Sequence, residues 1–193
     1  TIAGPTACGF TPWGTFEDDD LLFATDTKSQ GGTVNLTFRH LMHRLTINLQ
    51  NGTGMESADL SGATIWTVDP SNVPTMKGVI PVNLLTGELG VPIDGATHSS
   101  IGATFDKIVI PHTLTPGAGW LRINVGADKW YYSVPADLDT TLGGNQTTLE
   151  SGKHLTLNLT LTKTSTGNRV DMANATITAW DSQGEITGEP TLQ

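Results

Sequence analysis

Basic residues are scarce in this chain: 10 Lys plus Arg stand against 19 Asp plus Glu, a net charge of -9 over 193 residues. Phosphate recognition needs clustered Lys and Arg, so this balance argues against a nucleic-acid partner. Cysteine is nearly absent. With Cys8 alone, an internal disulfide framework and a multi-cysteine zinc site are both excluded. No apolar run approaches the roughly 20 residues that a transmembrane helix needs. Helical periodicity is also missing, since no segment sustains it for much more than a turn.

Threonine and glycine are abundant instead, 31 and 22 residues. Threonine is β-branched and suits a pleated, half-exposed surface, while glycine supplies tight turns. The cleanest pattern is KHLTLNLTLTK at 153–163. There Leu155, Leu157, Leu159 and Leu161 alternate with Thr156, Asn158, Thr160 and Thr162, the period of two of a half-buried strand. Weaker versions occur at 33–38, 44–49, 63–68, 78–84, 105–111, 120–125, 130–134 and 174–180. NGTG, LTGELG, PGAG and VGADKW supply the turns between them. Many short strands with such punctuation predict an all-β fold, an antiparallel β-sandwich.

The segment LTFRHLMHRLTINL at 36–49 holds two histidines, His40 and His43, inside an apolar run. Its apolar positions change parity between Phe38 and Leu41, which no single strand permits. A short helical turn near 39–44 repairs the phase, because Phe38, Leu41 and Leu45 then share a face. That turn would leave His40 and His43 on its outer side, exposed or bonded to backbone, beside Arg39 and Arg44. No third ligand is evident, since His98, His112 and His154 are remote in sequence, and two arginines repel a cation. The expectation is no metal and no cofactor.

Other chemical motifs are weaker. Glu17 to Asp20 and Asp26 lack the oxygen spacing and sharp glycine turn of an EF-hand, so they predict a solvated acidic loop. No carboxylate pair stands out for glycosidase chemistry, and no G-x-S-x-G or phosphate loop occurs. Five N-x-T matches, at Asn35, Asn51, Asn145, Asn158 and Asn174, predict exposed strand faces in a chain so rich in threonine. Among Trp13, Trp66, Trp120, Trp130 and Trp180, the candidates for a sugar-stacking surface are Trp66, Trp120 and Trp130; core packing is the usual fate of this residue.

Cys8 follows GPTA, rich in small residues like a lipoprotein cleavage site, but nothing apolar precedes it. No basic or apolar leader is visible either. The expectation is a mature or trimmed chain, or one whose upstream sequence is missing.

Five pieces in order carry a resemblance: DDLLFAT at 19–25, VNLTFRHLMHRLTINL at 34–49, IVIP at 108–111, LESGKHLTLNLTL at 149–161 and ATITAW at 175–180. They resemble the fimbrillin family of Bacteroides-type bacteria, the surface pilins and related adhesin subunits. Phe38, His40, Met42 and Leu45 fall on its F-x-H-x-L-x-x-L pattern, Gly152 and Lys153 on its G-K, and Ile177 and Trp180 on its terminal motif. His43 stands where the family usually has a small residue, and Leu155 replaces an aromatic. The resemblance implies exported, outer-membrane-associated lipoproteins with two transthyretin-like sandwiches. On that basis residues 29–193 are expected to form the C-terminal sandwich, with 1–28 a remnant of a preceding domain or linker.

The implied function is a non-catalytic structural or adhesive subunit of a cell-surface fimbria. A carbohydrate-binding sandwich is the alternative from another class, and an enzyme is a distant third. Fimbrillins are thought to join by strand donation, which implies other fimbrial subunits as partners, besides a host or bacterial surface receptor or glycan. A good donor strand presents several large apolar residues at period two. The tail DSQGEITGEPTLQ offers only Ile186 and Leu192, and Pro190 removes a ladder donor. It therefore predicts a poor repeating donor, hence a tip or accessory subunit that is monomeric when isolated.

Overall fold

The structure, a computed structural model, describes residues 7–12, 19–27, 29, 31–139, 146–180 and 185–188. Strands begin with β1 (Ala7–Phe10), β2 (Leu22–Phe23), β3 (Val34–Thr37), β4 (Arg39–His40), β5 (His43–Asn51) and β6 (Thr64–Trp66). Next come β7 (Met76–Asn83), β8 (Ile93–Ala96), β9 (Ser99–Ile101), β10 (Thr104–Val109), β11 (His112–Thr113) and β12 (Gly119–Val125). The last are β13 (Asp128–Ser133), β14 (Thr148–Leu149), β15 (Lys153–Thr164), β16 (Gly167–Ala179) and β17 (Glu185–Gly188). No helix occurs among the described residues.

Two four-stranded sheets carry the main core, one ordered β10-β5-β15-β16 and the other β13-β12-β6-β9. From the first, Leu45, Ile47 and Leu49 of β5 and Leu155, Leu157, Leu159 and Leu161 of β15 all point inward. Ile65, Ile123, Trp130 and Tyr132 meet them from the second. Each inward set keeps one parity, because successive side chains of a strand face opposite sides. The exception is β12, where Trp120 and Leu121 are both buried. A register irregularity between Gly119 and Leu121 accounts for it, since a bulge turns two successive side chains inward.

The expected antiparallel sandwich needs one amendment. β15 pairs antiparallel with β16 but parallel with β5, in the register Leu45↔Leu155, Ile47↔Leu157 and Leu49↔Leu159. Alternation is the same in both directions, so it could not announce this. A three-stranded sheet, β1-β7-β8, lies outside the two main sheets. Ile80 and Val82 of β7 join Leu41, Met42, Ile108 and Ile110 in a second, smaller cluster. Ile108 pairs with Arg44, so it lies on the face of the β5–β10 sheet opposite the main core.

The predicted helical turn at 39–44 is replaced by a break between two strands. β4 ends at His40, β5 starts at His43, and the bend at Leu41–Met42 resets the phase. His40, Leu41, Met42 and His43 are all buried in succession. A helical turn would claim its own backbone groups. Here the Leu41 N–H donates to the Leu21 carbonyl and the Met42 carbonyl accepts from the Gly152 N–H. Neighbouring strands use those groups, so the helix has no advantage to offer.

Candidate functional site

The pieces that are far apart in sequence meet around this bend. β4 pairs with β2, which brings Asp20 beside His40, and the His40 Nδ1–H donates to Asp20 Oδ1 at 2.7 Å. The other side of the His40 ring lies flat on Trp180, with centroids 3.9 Å apart and planes 4° from parallel. Gly152 closes the arrangement: its N–H bonds the Met42 carbonyl, and its own carbonyl accepts from the Trp180 N–H. Gly152 has φ +69° and sits where a Cβ would come 3.3 Å from the His40 carbonyl. The left-handed backbone therefore favours glycine, and a Cβ would add a tight contact with the His40 carbonyl. Gly152→Ala is expected to cost about 1–2 kcal/mol in a urea melt, the penalty for a left-handed alanine.

His43 is fully buried, with its Nδ1–H donating to the Glu150 carbonyl at 2.8 Å. Its Nε2 has no hydrogen-bond partner among the described residues. Burial pushes this imidazole down to about 4, against the opposing pull of the Glu150 carbonyl, with His154 and His112 adding to the depression. The expectation that both histidines lie outside on a turn is thus corrected. Only the backbone bond of His43 matches it. The reason is the buried bend, which turns both rings inward where a helical turn would have turned them out.

Among the described residues no group of three His, Cys, Asp or Glu side chains is placed to hold a metal. Both Nδ1 atoms are engaged and His40 is covered by Trp180, so calorimetry with zinc should show no stoichiometric binding. A single equivalent bound at micromolar affinity, and lost in His40→Ala and His43→Ala, would contradict this account.

The acidic segment is not the solvated loop expected. Asp19 is buried, and Asp20 is partly buried against His40. Asp26 Oδ2 accepts the Asn35 N–H at 2.9 Å and so ties this segment to β3. Glu17 and Asp18 lie outside the described residues, as do Trp13 and Asn145.

Two tryptophan candidates are interior. Trp120 is 0% exposed and Trp130 is 1% exposed, so neither presents a ring face to solvent. Trp130 shares the parity of Tyr132 and Val134 on the core face, and its Nε1–H donates to the Thr162 carbonyl at 3.1 Å. Trp66 is half-buried, and the Arg122 guanidinium lies over its ring at 5.4 Å from the centroid. A cation thus already occupies one face of the only candidate ring that reaches the surface.

The sheet face opposite the main core is polar and ordered across strands. Arg44 forms a two-point ion pair with Asp106, whose carboxylate also accepts from Thr46 Oγ1. Burial raises the Asp106 carboxyl, but Arg44 and Thr46 outweigh it and hold it below the usual range. One row further, Asn48 Nδ2 donates to Asn158 Oδ1 at 3.0 Å, and Asn158 Nδ2 donates onward to Asn174 Oδ1. The strand register produces this amide row, since Asn48, Asn158 and Asn174 are direct cross-strand partners. Two of the five N-x-T asparagines therefore serve a cross-strand ladder. Asn35 and Asn51 are exposed on strands, as expected for such motifs.

As a separate two-stranded sheet, β17 pairs antiparallel with β3 in the register Glu185↔Thr37 to Gly188↔Val34. Part of the tail thus adds a strand to the molecule that carries it. A four-residue pairing leaves no periodic signal, so alternation could not announce this strand.

The fold has solved relatives. It matches a crystal structure of a provisionally assigned cell adhesion protein of Bacteroides uniformis with TM-score 0.66 and 18% identity, over 94% of this chain and 69% of that one. A second such protein, from Bacteroides ovatus, matches with TM-score 0.60 and 16% identity, over 95% of this chain and 63% of its own length. At these identities the likeness concerns the fold. No curated protein matches. A family model described as fimbrillin-like spans residues 13–180, which contain the bend, the Gly152 turn and the Trp180 stack described above, and the chain belongs to that fimbrillin-like family.

Proposed function

We propose that this chain is a non-catalytic structural or adhesive subunit of a cell-surface fimbria, exported and outer-membrane-associated, at the tip or in an accessory position. The observation that carries this reading is the pairing of β17 with β3. An edge that takes a short strand by main-chain hydrogen bonds is suited to strand addition, the joining mode that other fimbrial subunits would use. In this chain the edge is occupied from within, which favours a monomer when the chain is isolated. The relatives assigned to cell adhesion add support for a surface location.

Residues 29–193 are read as the C-terminal sandwich and 1–28 as a remnant of a preceding domain or a linker, in a longer, two-sandwich protein. Within that segment, residues 7–10 pair with β7. To test the position in the filament, the complete precursor is expressed in a fimbriated host and filaments are labelled with antibody. Labelling confined to filament ends is expected. Labelling along the whole shaft, abolished by deleting residues 182–193, would overturn the tip or accessory assignment.

A further inference from the structure

The outward face of the β13-β12-β6-β9 sheet carries cations and no carboxylate over its first three strands. Strand alternation puts Lys129 and Tyr131 of β13, Arg122 and Asn124 of β12, and Thr64 and Trp66 of β6 on this side, away from the core. In a chain with a net charge of -9, such a patch stands apart. A trough of about 430 Å3 lies there between Thr64, Arg122, Asn124 and Lys129, where Gly62, Gly126 and Ala127 leave room. A Cβ at Gly62 or Gly126 would meet nothing within 4 Å, so the trough is open beside both. Carboxylates in the flanking turns are engaged elsewhere. Asp59 accepts from Ser61, Asp69 from the N–H groups of Ser71 and Val73, and Asp128 from the Lys163 ammonium.

Both cations have donors to spare. The Arg122 guanidinium is held over the Trp66 ring, and its Nη1–H donates to Asn72 Oδ1, so its plane is set in advance. Its Nη2 is accessible and makes no hydrogen bond or ion pair among the described residues. Lys129 is exposed, and its ammonium has no partner among the described residues. Lys129 pairs with Asn124, two residues from Arg122 on the same face, so the two cations are diagonal cross-strand neighbours. Long side chains in that relation reach one ligand. Thr64 Oγ1 accepts from Asn124 Nδ2 at 2.8 Å, which leaves the threonine O–H to donate. Tyr131 pairs with Arg122 across the strands and is 43% exposed.

We infer that this trough binds an acidic glycan, with the carboxylate of a uronate unit between Arg122 and Lys129. The planar guanidinium fork matches a carboxylate, and the Trp66 ring that orients it lowers the cost of ordering it. Two neighbouring cations without a counter-charge repel each other, and a bound anion relieves that repulsion. A sugar also uses what a bare carboxylate would not: the Thr64 hydroxyl reaches a ring hydroxyl, and Tyr131 offers an aromatic face to sugar C–H groups. The volume falls within the roughly 300–1,000 Å3 of small-molecule sites, and the open sides let a longer glycan run through. The role of Trp66 here is to hold Arg122, which differs from stacking a sugar on a bare indole. The site belongs to the sheet alone and does not depend on where the chain stands in a filament.

The test is a calorimetric titration of the full chain at low salt against trimers of galacturonate, glucuronate and mannuronate. Their neutral methyl esters and triglutamate serve as controls. At least one uronate trimer should bind saturably, more weakly as salt is added, and its ester should not bind. Lys129→Gln, at an exposed position, should weaken binding about fivefold at unchanged Tm, the loss of one solvent-exposed ion pair. Arg122→Lys keeps the charge but gives up the fork, so it should weaken binding too. No saturable binding of any uronate trimer would overturn the inference. So would equal binding of an ester, or binding that Lys129→Gln leaves unaltered. Triglutamate binding as tightly as the uronates would mark a site for acidic peptides and overturn it as well.

Discussion

Leu157→Ala and Leu159→Ala are each expected to cost about 2–5 kcal/mol, the range for truncating a buried leucine. Both side chains are fully buried, and both lie on the central strand of a four-stranded sheet. Leu157 is flanked by Ile47 on its parallel neighbour and by Ala175 on its antiparallel one. Each truncation opens a void that three strands and the facing sheet must line, and close-packed interiors relax only partly around such voids. Thr156→Ser and Thr160→Ser, one residue away on the polar face, should change stability far less. Urea unfolding of the four variants measures the contrast. Equal losses on the two faces would show that β15 is oriented the other way. Because Ile47 and Leu157 touch through the same register, Ile47→Val combined with Leu157→Ala should be non-additive.

Acid should destabilise the fold well before the carboxylates titrate. The folded-state value of His43 is about 4 and its ordinary value is 6.5. The fold thus accepts the neutral ring, while the unfolded chain takes up a proton as pH falls below 6.5. The stability that depends on neutral His43 is fully present above pH 6.5 and drains away between there and about pH 4. The gap corresponds to about 3 kcal/mol for complete loss. His98 and His112 are depressed chiefly by burial as well, so they act in the same direction. Urea midpoints measured from about pH 7 down to about pH 4.5 should fall steadily. His43→Gln, which can still donate to the Glu150 carbonyl but does not titrate, should flatten that slope while costing some stability near neutrality. An unchanged slope in the variant would show that His43 is not the titrating group.

Much of the architecture was legible from local pattern. Leu155 to Leu161 and Leu45 to Leu49 announced their inward faces through alternation, and the structure buries those residues. Trp130, a candidate for a sugar-stacking surface, lies instead on the core face with Tyr132. The candidate site was harder to read. His40 and His43 were visible as a pair, but their burial was not, because a phase change in the pattern fits a helical turn and a strand break equally well. Trp120 gave no hint of its interior position, since a bulge in β12 puts it beside Leu121 on the buried side.

What the sequence determined by itself is which residues lie in strands, which face of each strand is apolar and where turns divide them. These depend on neighbours two to four positions away, and the chain states them locally. What only the tertiary structure decided is who pairs with whom. The parallel β5–β15 contact, the His40–Trp180 stack closed by Gly152, and the self-pairing of β17 with β3 all join distant segments. An alternating strand serves a parallel or an antiparallel partner equally well, so direction and partner are chosen by the packing of two sheets around one core, and that choice is made in three dimensions.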